Sequence, residues 1–228
     1  MRMLLTSNGL TNDTIRACVE VLLGKPIEQS KLVLVIDAFL PFGGDKTHFL
    51  GRIDEIRREG WAEFDVLSLL ATPRAVAEER LRAAEAIYCY GGTNHWLAYA
   101  WTSTGLAPVL AELLEQKVYI GMSAGSMIFS TFHAASVQAL DDQDEVAMLG
   151  LDQVGPALPL FGWWLIPHRG AEYVAHQSDE WMAERAQRLG APVWFIDDDT
   201  ALLVRDPAIE PEVVSAGRWL QLTGGPGQ

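Results

Sequence analysis

The stretch Val118-Tyr119-Ile120-Gly121-Met122-Ser123-Ala124-Gly125-Ser126-Met127-Ile128 sets Gly-x-Ser-x-Gly between an apolar strand-like run and an apolar helix-like run. A serine on so sharp a strand-to-helix turn takes strained backbone angles. Glycines must flank it because strand and helix approach too closely there for side chains. The turn lifts Ser123 Oγ above the strand ends and aims the Ala124 backbone N–H and the helix dipole at any oxyanion formed there. This is the equipment of acyl transfer. A Gly/Ser-rich turn that only packs or binds a ligand is the competing reading of the motif taken alone, and the placement between strand and helix favours the nucleophile.

Acyl transfer by serine needs a base, and His168 is the candidate because it follows the apolar run Trp163-Trp164-Leu165-Ile166 and Pro167. The carboxyl end of a strand is where α/β sheets present chemistry. His48, His95 and His133 fall in predicted helices, and His176 precedes one. A third, acidic residue should hold the imidazole tautomer. Asp197, Asp198 and Asp199 follow the apolar run Val193-Trp194-Phe195-Ile196, where three successive carboxylates repel one another unless some are put to use. Asp141 and Asp142 compete for the role from the loop after the nucleophile helix. A second glycine turn, Tyr90-Gly91-Gly92-Thr93-Asn94, offers bare N–H groups as a further oxyanion donor. Its spacing matches neither a dinucleotide fingerprint nor a P-loop. His168, His176 and the run 197–199 match no tight metal motif, so no metal or other cofactor is expected.

These residues need strands to carry them. Apolar runs at 3–6, 32–37, 64–69, 86–90 and 118–120 read as strands buried on both faces. Amphipathic segments 11–23, 46–58, 73–84, 94–101 and 107–115 are long enough for crossover helices. The alternation predicts a single α/β domain over 1–228, with a mostly parallel central sheet covered by helices on both faces. Later come predicted strands at 163–166, 193–197 and 200–204 and a helix at 178–189. The segment 213–220, turning at Ala216 and Gly217, is expected to form a C-terminal edge hairpin. Residues 141–159 are expected to be a loop over one end of the sheet, and the tail 224–228 to fray.

Composition narrows the partners. The 228 residues carry 17 Lys plus Arg against 30 Asp plus Glu, a formal net charge of −13, which disfavours nucleic acid and anionic membranes. With 49% hydrophobic and 21% charged residues the chain is expected to be globular rather than disordered. No run approaches the ~20 apolar residues of a membrane span. The first residues lack the apolar core of a secretory signal, so a cytoplasmic location is expected. Cys18 and Cys89 are too few for a disulfide framework and read as reduced, buried thiols. Either a monomer or a homodimer is compatible with the sequence.

With those residues in hand, the chain resembles the aspartyl dipeptidase (peptidase E) family of serine peptidases, related to cyanophycinase and similar in fold to class I glutamine amidotransferases. The likeness rests on Leu5-Thr6-Ser7-Asn8-Gly9-Leu10-Thr11-Asn12, Gly91-Gly92-Thr93-Asn94, Gly121-Met122-Ser123-Ala124-Gly125 and Ile166-Pro167-His168, in family order along nearly the whole chain. It implies Ser123 as nucleophile, His168 as base and the N–H groups of Gly92 and Ala124 as the oxyanion hole. Asp198 aligns with the family's late acidic residue, and Asp141 or Asp142 with an alternative acid after the nucleophile helix. Two positions depart from the pattern. Tyr90 replaces the first glycine of the Gly-Gly-Gly-Asn-Thr turn, with Thr93-Asn94 reversing the last pair. Trp181 stands where aspartyl dipeptidases carry the arginine that pairs with the substrate's aspartyl group, leaving Arg169 or Arg185 as substitutes.

The expectation is therefore a serine peptidase acting on dipeptides or short peptides through an acyl-enzyme, not restricted to Asp-X. Trp163, Trp164 and Trp181 are candidates to line an apolar pocket, with core packing the competing role. An esterase or amidase on small acyl compounds, or a non-catalytic peptide-binding protein of the same fold, would share these features.

Overall fold

A computed structural model describes residues 1–224; residues 225–228 of the tail expected to fray lie outside it. Five apolar runs become parallel strands: β1 (Met3–Thr6), β2 (Lys31–Val35), β3 (Glu63–Leu67), β4 (Ala86–Cys89) and β5 (Val118–Met122). They are joined by α1 (Asp13–Leu23), α2 (Thr47–Arg58), α3 (Arg74–Ala83), and α4 (Asn94–Ser103) with α5 (Ala107–Leu113). β1, β2, β4 and β5 read as apolar runs because both faces are covered, whereas β3, expected to be buried on both faces, lies at the sheet edge with only Leu67 buried. In β1, Met3 and Leu5 pack with Leu97, Trp101 and Phe129 on one side, while Leu4 packs with Ile15, Val19 and Ile120 on the other.

The helices begin and end where local chemistry supplies partners. Asn12 caps α1 by accepting from the Ile15 N–H at 3.1 Å, and Gly24 closes it in the left-handed conformation at φ 72°. Ile15, Val19 and Leu22 are its buried stripe.

After β5 come three short helices, α6 (Ala124–Met127), α7 (His133–Ala139) and α8 (Gln143–Met148). The expected loop over 141–159 thus contains a helix. None of the residues of α8 is buried. It is tied down instead by a Glu145–Thr93 hydrogen bond and by the contact of Asp142 with His95 at 3.1 Å, polar tethers that leave no apolar period in the sequence.

The last third supplies β6 (Trp164–Ile166), α9 (Asp179–Leu189), β7 (Pro192–Ile196), β8 (Thr200–Val204), β9 (Glu212–Ser215) and β10 (Trp219–Thr223). The seven-stranded sheet runs β3-β2-β4-β5-β1-β8-β9, with β8 and β9 antiparallel at one edge. A second, three-stranded sheet runs β10-β7-β6.

The expected edge hairpin over 213–220 is corrected here. The chain does turn at Ala216 and Gly217, but β9 pairs with β8 and β10 pairs with β7, so the segment crosses from one sheet to the other. Asp197 causes the crossing. Its carboxylate accepts from the Arg218 N–H and from Thr200 Oγ1, holding the turn against the β7–β8 connection instead of letting it close on itself. Among the described residues no helix is long and apolar enough to cross a membrane. Both cysteines are free. Cys89 is buried, which pushes its thiol up to about 12, whereas Cys18 is only half-buried, short of the expected full burial.

Candidate active site

The carboxyl ends of β1, β4, β5, β6 and β7 meet at one place, and each delivers a residue to it. Ser123 ends β5 with φ 51° and ψ −114°, a strained conformation for a side-chain-bearing residue. The glycines around it have no freedom to be anything else. A Cβ on Gly125 would lie 2.1 Å from the Cys89 carbonyl oxygen, and one on Gly121 would lie 2.7 Å from the Gly125 carbonyl oxygen. The turn is pinned to β1: the Ser123 N–H donates to the Thr6 carbonyl at 3.1 Å, and Ser126 Oγ donates to the same carbonyl at 2.8 Å. Thr6 Oγ1 donates in turn to the Gly121 carbonyl at 2.7 Å.

The second glycine turn follows β4 and lies against the serine. A Cβ on Gly91 would sit 3.2 Å from Ser123 Cβ. Gly92 has φ +137°, and a Cβ there would lie 2.2 Å from the Ala38 carbonyl oxygen. Gly91 thus lies against Ser123, and Gly92 next to it is held against Ala38. The reversed pair Thr93-Asn94 leaves the turn intact, because Thr93 caps α4 by accepting from the Trp96 N–H at 3.4 Å while its own N–H donates to Ala38.

His168, one residue past Pro167 at the end of β6, takes φ 65°. Its Nε2 lies 2.9 Å from Ser123 Oγ and its Nδ1 lies 2.7 Å from Asp198 Oδ1. An ionised carboxylate only accepts, so Nδ1 carries the proton and the Nε2 lone pair faces the serine hydroxyl. Burial pushes the Asp198 carboxyl up, but hydrogen bonds from His168 and Ser7, with the charges of His168 and Arg52, outweigh it and hold the group below the usual aspartate value.

Of the five candidate acids, the structure brings Asp198 alone to the histidine. Asp197 is occupied in the turn that joins the two sheets, and the Asp199 carbonyl accepts from Asn12 Nδ2 at 3.2 Å while its side chain faces solvent. Asp141 is corrected as an acid: Arg185 holds it at 2.6 Å and Arg188 at 2.7 Å, on the far side of α7. Asp142 is corrected likewise, because its carboxylate is taken by His95.

The substrate-side candidates separate as sharply. Arg185 is spent on Asp141 and on the Ala139 carbonyl and is only 11% exposed, so it is not available to a ligand. Trp181 packs beside His176 and Phe195, its ring 5.2 Å from the Arg185 guanidinium. Trp164 is fully buried, and Trp163 stacks on Phe161 at 4.4 Å. Both serve the core. Arg169 differs: it lines, with Arg218 and the acidic residues Asp179, Asp197, Asp198 and Asp199, a cavity of about 590 Å³ that borders the Asp198 side of the site and does not include Ser123 or His168.

Sequence reasoning missed the work done by the opening segment 7–12. Ser7 Oγ donates to Asp198 Oδ1 at 2.8 Å and accepts from the His168 N–H at 2.8 Å, so it ties acid and base together. Asn8 Nδ2 faces Asp198 Oδ2 at 3.4 Å, and Thr11 Oγ1 donates to the Asp198 carbonyl at 2.8 Å. The polar run Ser7-Asn8-Gly9-Leu10-Thr11-Asn12 directly after a buried strand was the available signal.

The chain matches other proteins along the same lines. Residues 3–211 fit the model of peptidase family S51. An uncharacterized peptidase of Pasteurella multocida is 33% identical over 108 residues, 47% of this chain and 50% of that protein, so the chain spans about half the length of that curated relative. A candidate peptidase E of Listeria monocytogenes superposes with a TM-score of 0.70 at 16% identity, over 97% of this chain and 98% of the other. A peptidase from an acI-B1 Actinobacterium superposes with a TM-score of 0.62 at 20% identity, over 100% and 92% of the two chains. These two share the fold. With a family model covering nearly all of its strands and every residue at the site, the chain belongs to peptidase family S51.

Proposed function

We propose that the protein is a serine peptidase in which Ser123 is the nucleophile, His168 the general base and Asp198 the residue that orients and stabilises the imidazole. The observation that carries this reading is the unbroken line Ser123 Oγ, His168 Nε2, His168 Nδ1, Asp198 Oδ1, with separations of 2.9 and 2.7 Å at its two hydrogen bonds. Ser123 Oγ attacks the peptide carbonyl as its proton passes to Nε2. The N–H groups of Gly92 and Ala124 hold the oxyanion. Collapse breaks the C–N bond, the leaving amine takes the proton from Nε2, and an acyl-enzyme remains. Water activated by the same histidine then forms the acid and frees Ser123.

Short peptides are the proposed substrates, with a preference not confined to an acidic first residue. The aromatic pocket suggested by Trp181 has no support, since that ring is packed. Of the two arginines considered for an acidic group of the substrate, Arg169 is the one not held in an ion pair among the described residues, and it lines, with Arg218, the cavity that borders Asp198.

The test is chromatographic hydrolysis of a dipeptide panel with acidic, aromatic, aliphatic and basic first residues, by wild type and Ser123→Ala side by side. Cleavage by wild type and a loss of at least about 10³-fold in the variant are expected. Equal rates would sink the mechanism. Cleavage of short acyl esters with no peptide cleaved would move the reading to an esterase, and silence on both towards a binding protein.

A further inference from the structure

Asp198 uses one oxygen for the histidine, and the other is governed from farther away. Oδ1 is shared by His168 Nδ1 and Ser7 Oγ, while Oδ2 faces the Asn8 amide. That amide is held in turn by Arg52 on α2, whose Nη2 donates at 3.0 Å to both Asn8 Oδ1 and the Asn8 carbonyl. Arg52 is itself anchored by Glu55, one helical turn along.

The chemistry of these groups leaves one arrangement. A guanidinium has donors only, so the end of the amide that meets it must be the oxygen, and the NH2 end must then face Asp198. With the amide flipped, its oxygen would oppose a carboxylate oxygen while its NH2 opposed the guanidinium. Both contacts would be repulsive. With a neutral residue at position 52 the carboxylate alone still selects the NH2 end, but the Asn8 side chain and main-chain carbonyl lose the two hydrogen bonds that hold them in place beside it.

We propose that Arg52 is a positioning residue for the site: by anchoring the Asn8 amide and carbonyl it holds the donor that keeps Asp198 turned with Oδ1 on His168, and so keeps Nε2 basic towards Ser123. This rests on the serine-peptidase reading. It places part of the control of the reaction on α2, a helix that supplies no residue to the histidine or the serine.

A small alkyl fluorophosphonate tests it without requiring the physiological substrate. Ser123 Oγ bonds to phosphorus, the P–F bond breaks, fluoride leaves, and the hydroxyl proton passes to His168, so the labelling rate followed by intact mass reports nucleophilicity. Wild type, Arg52→Met, Arg52→Lys, Asn8→Ala and the Arg52→Met/Asn8→Ala double variant are compared, with unfolding midpoints recorded for each. Arg52→Met and Asn8→Ala should each slow labelling roughly tenfold. Arg52→Lys, still a donor, should recover most of the rate. The double variant should be no slower than Asn8→Ala, because the two residues act in series.

Labelling of a folded Arg52→Met at the wild-type rate, or losses that multiply in the double variant, would overturn the proposal alone. Should Arg52→Met fail to fold, Asn8→Ala at the wild-type rate would overturn it equally. A wild type that does not label at Ser123 would overturn the serine reading and this inference with it.

Discussion

The two sheets supply the two halves of the site by different physics. The seven-stranded sheet contributes Ser123 and both glycine turns, and there geometry is enforced by backbone jammed on backbone: Gly125 against Cys89, Gly92 against Ala38. The three-stranded sheet contributes His168 and Asp198, and there geometry is enforced by hydrogen bonds from Ser7, Asn8 and Thr11 to groups that remain partly exposed. A steric half tolerates no added atom and does not titrate. A polar half tolerates changes of size but responds to charge and pH.

The sharpest way to break this comparison is Gly125→Ala. The added carbon would meet main-chain atoms with no flexible end to yield, so a loss of about 3 kcal/mol or more is expected. That corresponds to a fall in Tm of roughly 10 °C in a thermal melt. An unchanged Tm would show that the elbow has slack the contacts deny.

Asp198→Asn probes the other half. Its hydrolytic rate should fall by about 10³-fold or more, because an amide at this position favours the wrong imidazole tautomer. Its stability should carry a pH signature. The Asp198 carboxyl is depressed in the folded state, so its contribution is present above the ordinary aspartate value of about 3.9 and is lost as pH falls through the folded value. The Tm deficit of the variant relative to wild type should therefore be present at about pH 6 and close below about pH 4. A deficit independent of pH would make Asp198 a packing residue.

The smallest effect on hydrolysis is expected at Asp141→Asn. It keeps a residue type that tolerates the positive φ of 63° while removing the charge held by Arg185 and Arg188. Arg188 is partly exposed and its share is small, but Arg185 is only 11% exposed and loses its carboxylate partner, so a stability loss of about 1–3 kcal/mol is expected. Hydrolysis should stay within about twofold of wild type, and a large loss would reinstate Asp141 as a rival acid.

The contrast between the halves also explains what was readable in advance. Steric demands write themselves locally, as Gly-x-Ser-x-Gly between two apolar runs or as a glycine pair after a buried strand, so Ser123, Ala124 and the glycine turn 91–92 could be picked out from spacing, with Gly92 singled out by the family resemblance. Strand alternation likewise follows from burial on both faces. His168 was legible as a residue after a strand end. The carboxylate that meets the histidine was legible only to within five aspartates, because a carboxylate's partner depends on which loops meet. Asp197 and Asp198 are neighbours in the chain, yet one joins two sheets and the other meets the histidine.

Local pattern therefore determined the α/β architecture, the strand-to-helix serine turn and the histidine at a strand end, since each rests on interactions among residues close in the chain. Tertiary structure decided the rest: which aspartate meets His168, that the 213–220 segment crosses between sheets, that Arg185 is spent on Asp141, and that Arg52 reaches Asp198 through Asn8. Each of these depends on a hydrogen bond or ion pair between groups that no local period relates, and such bonds exist only once the strands have brought their carboxyl ends together.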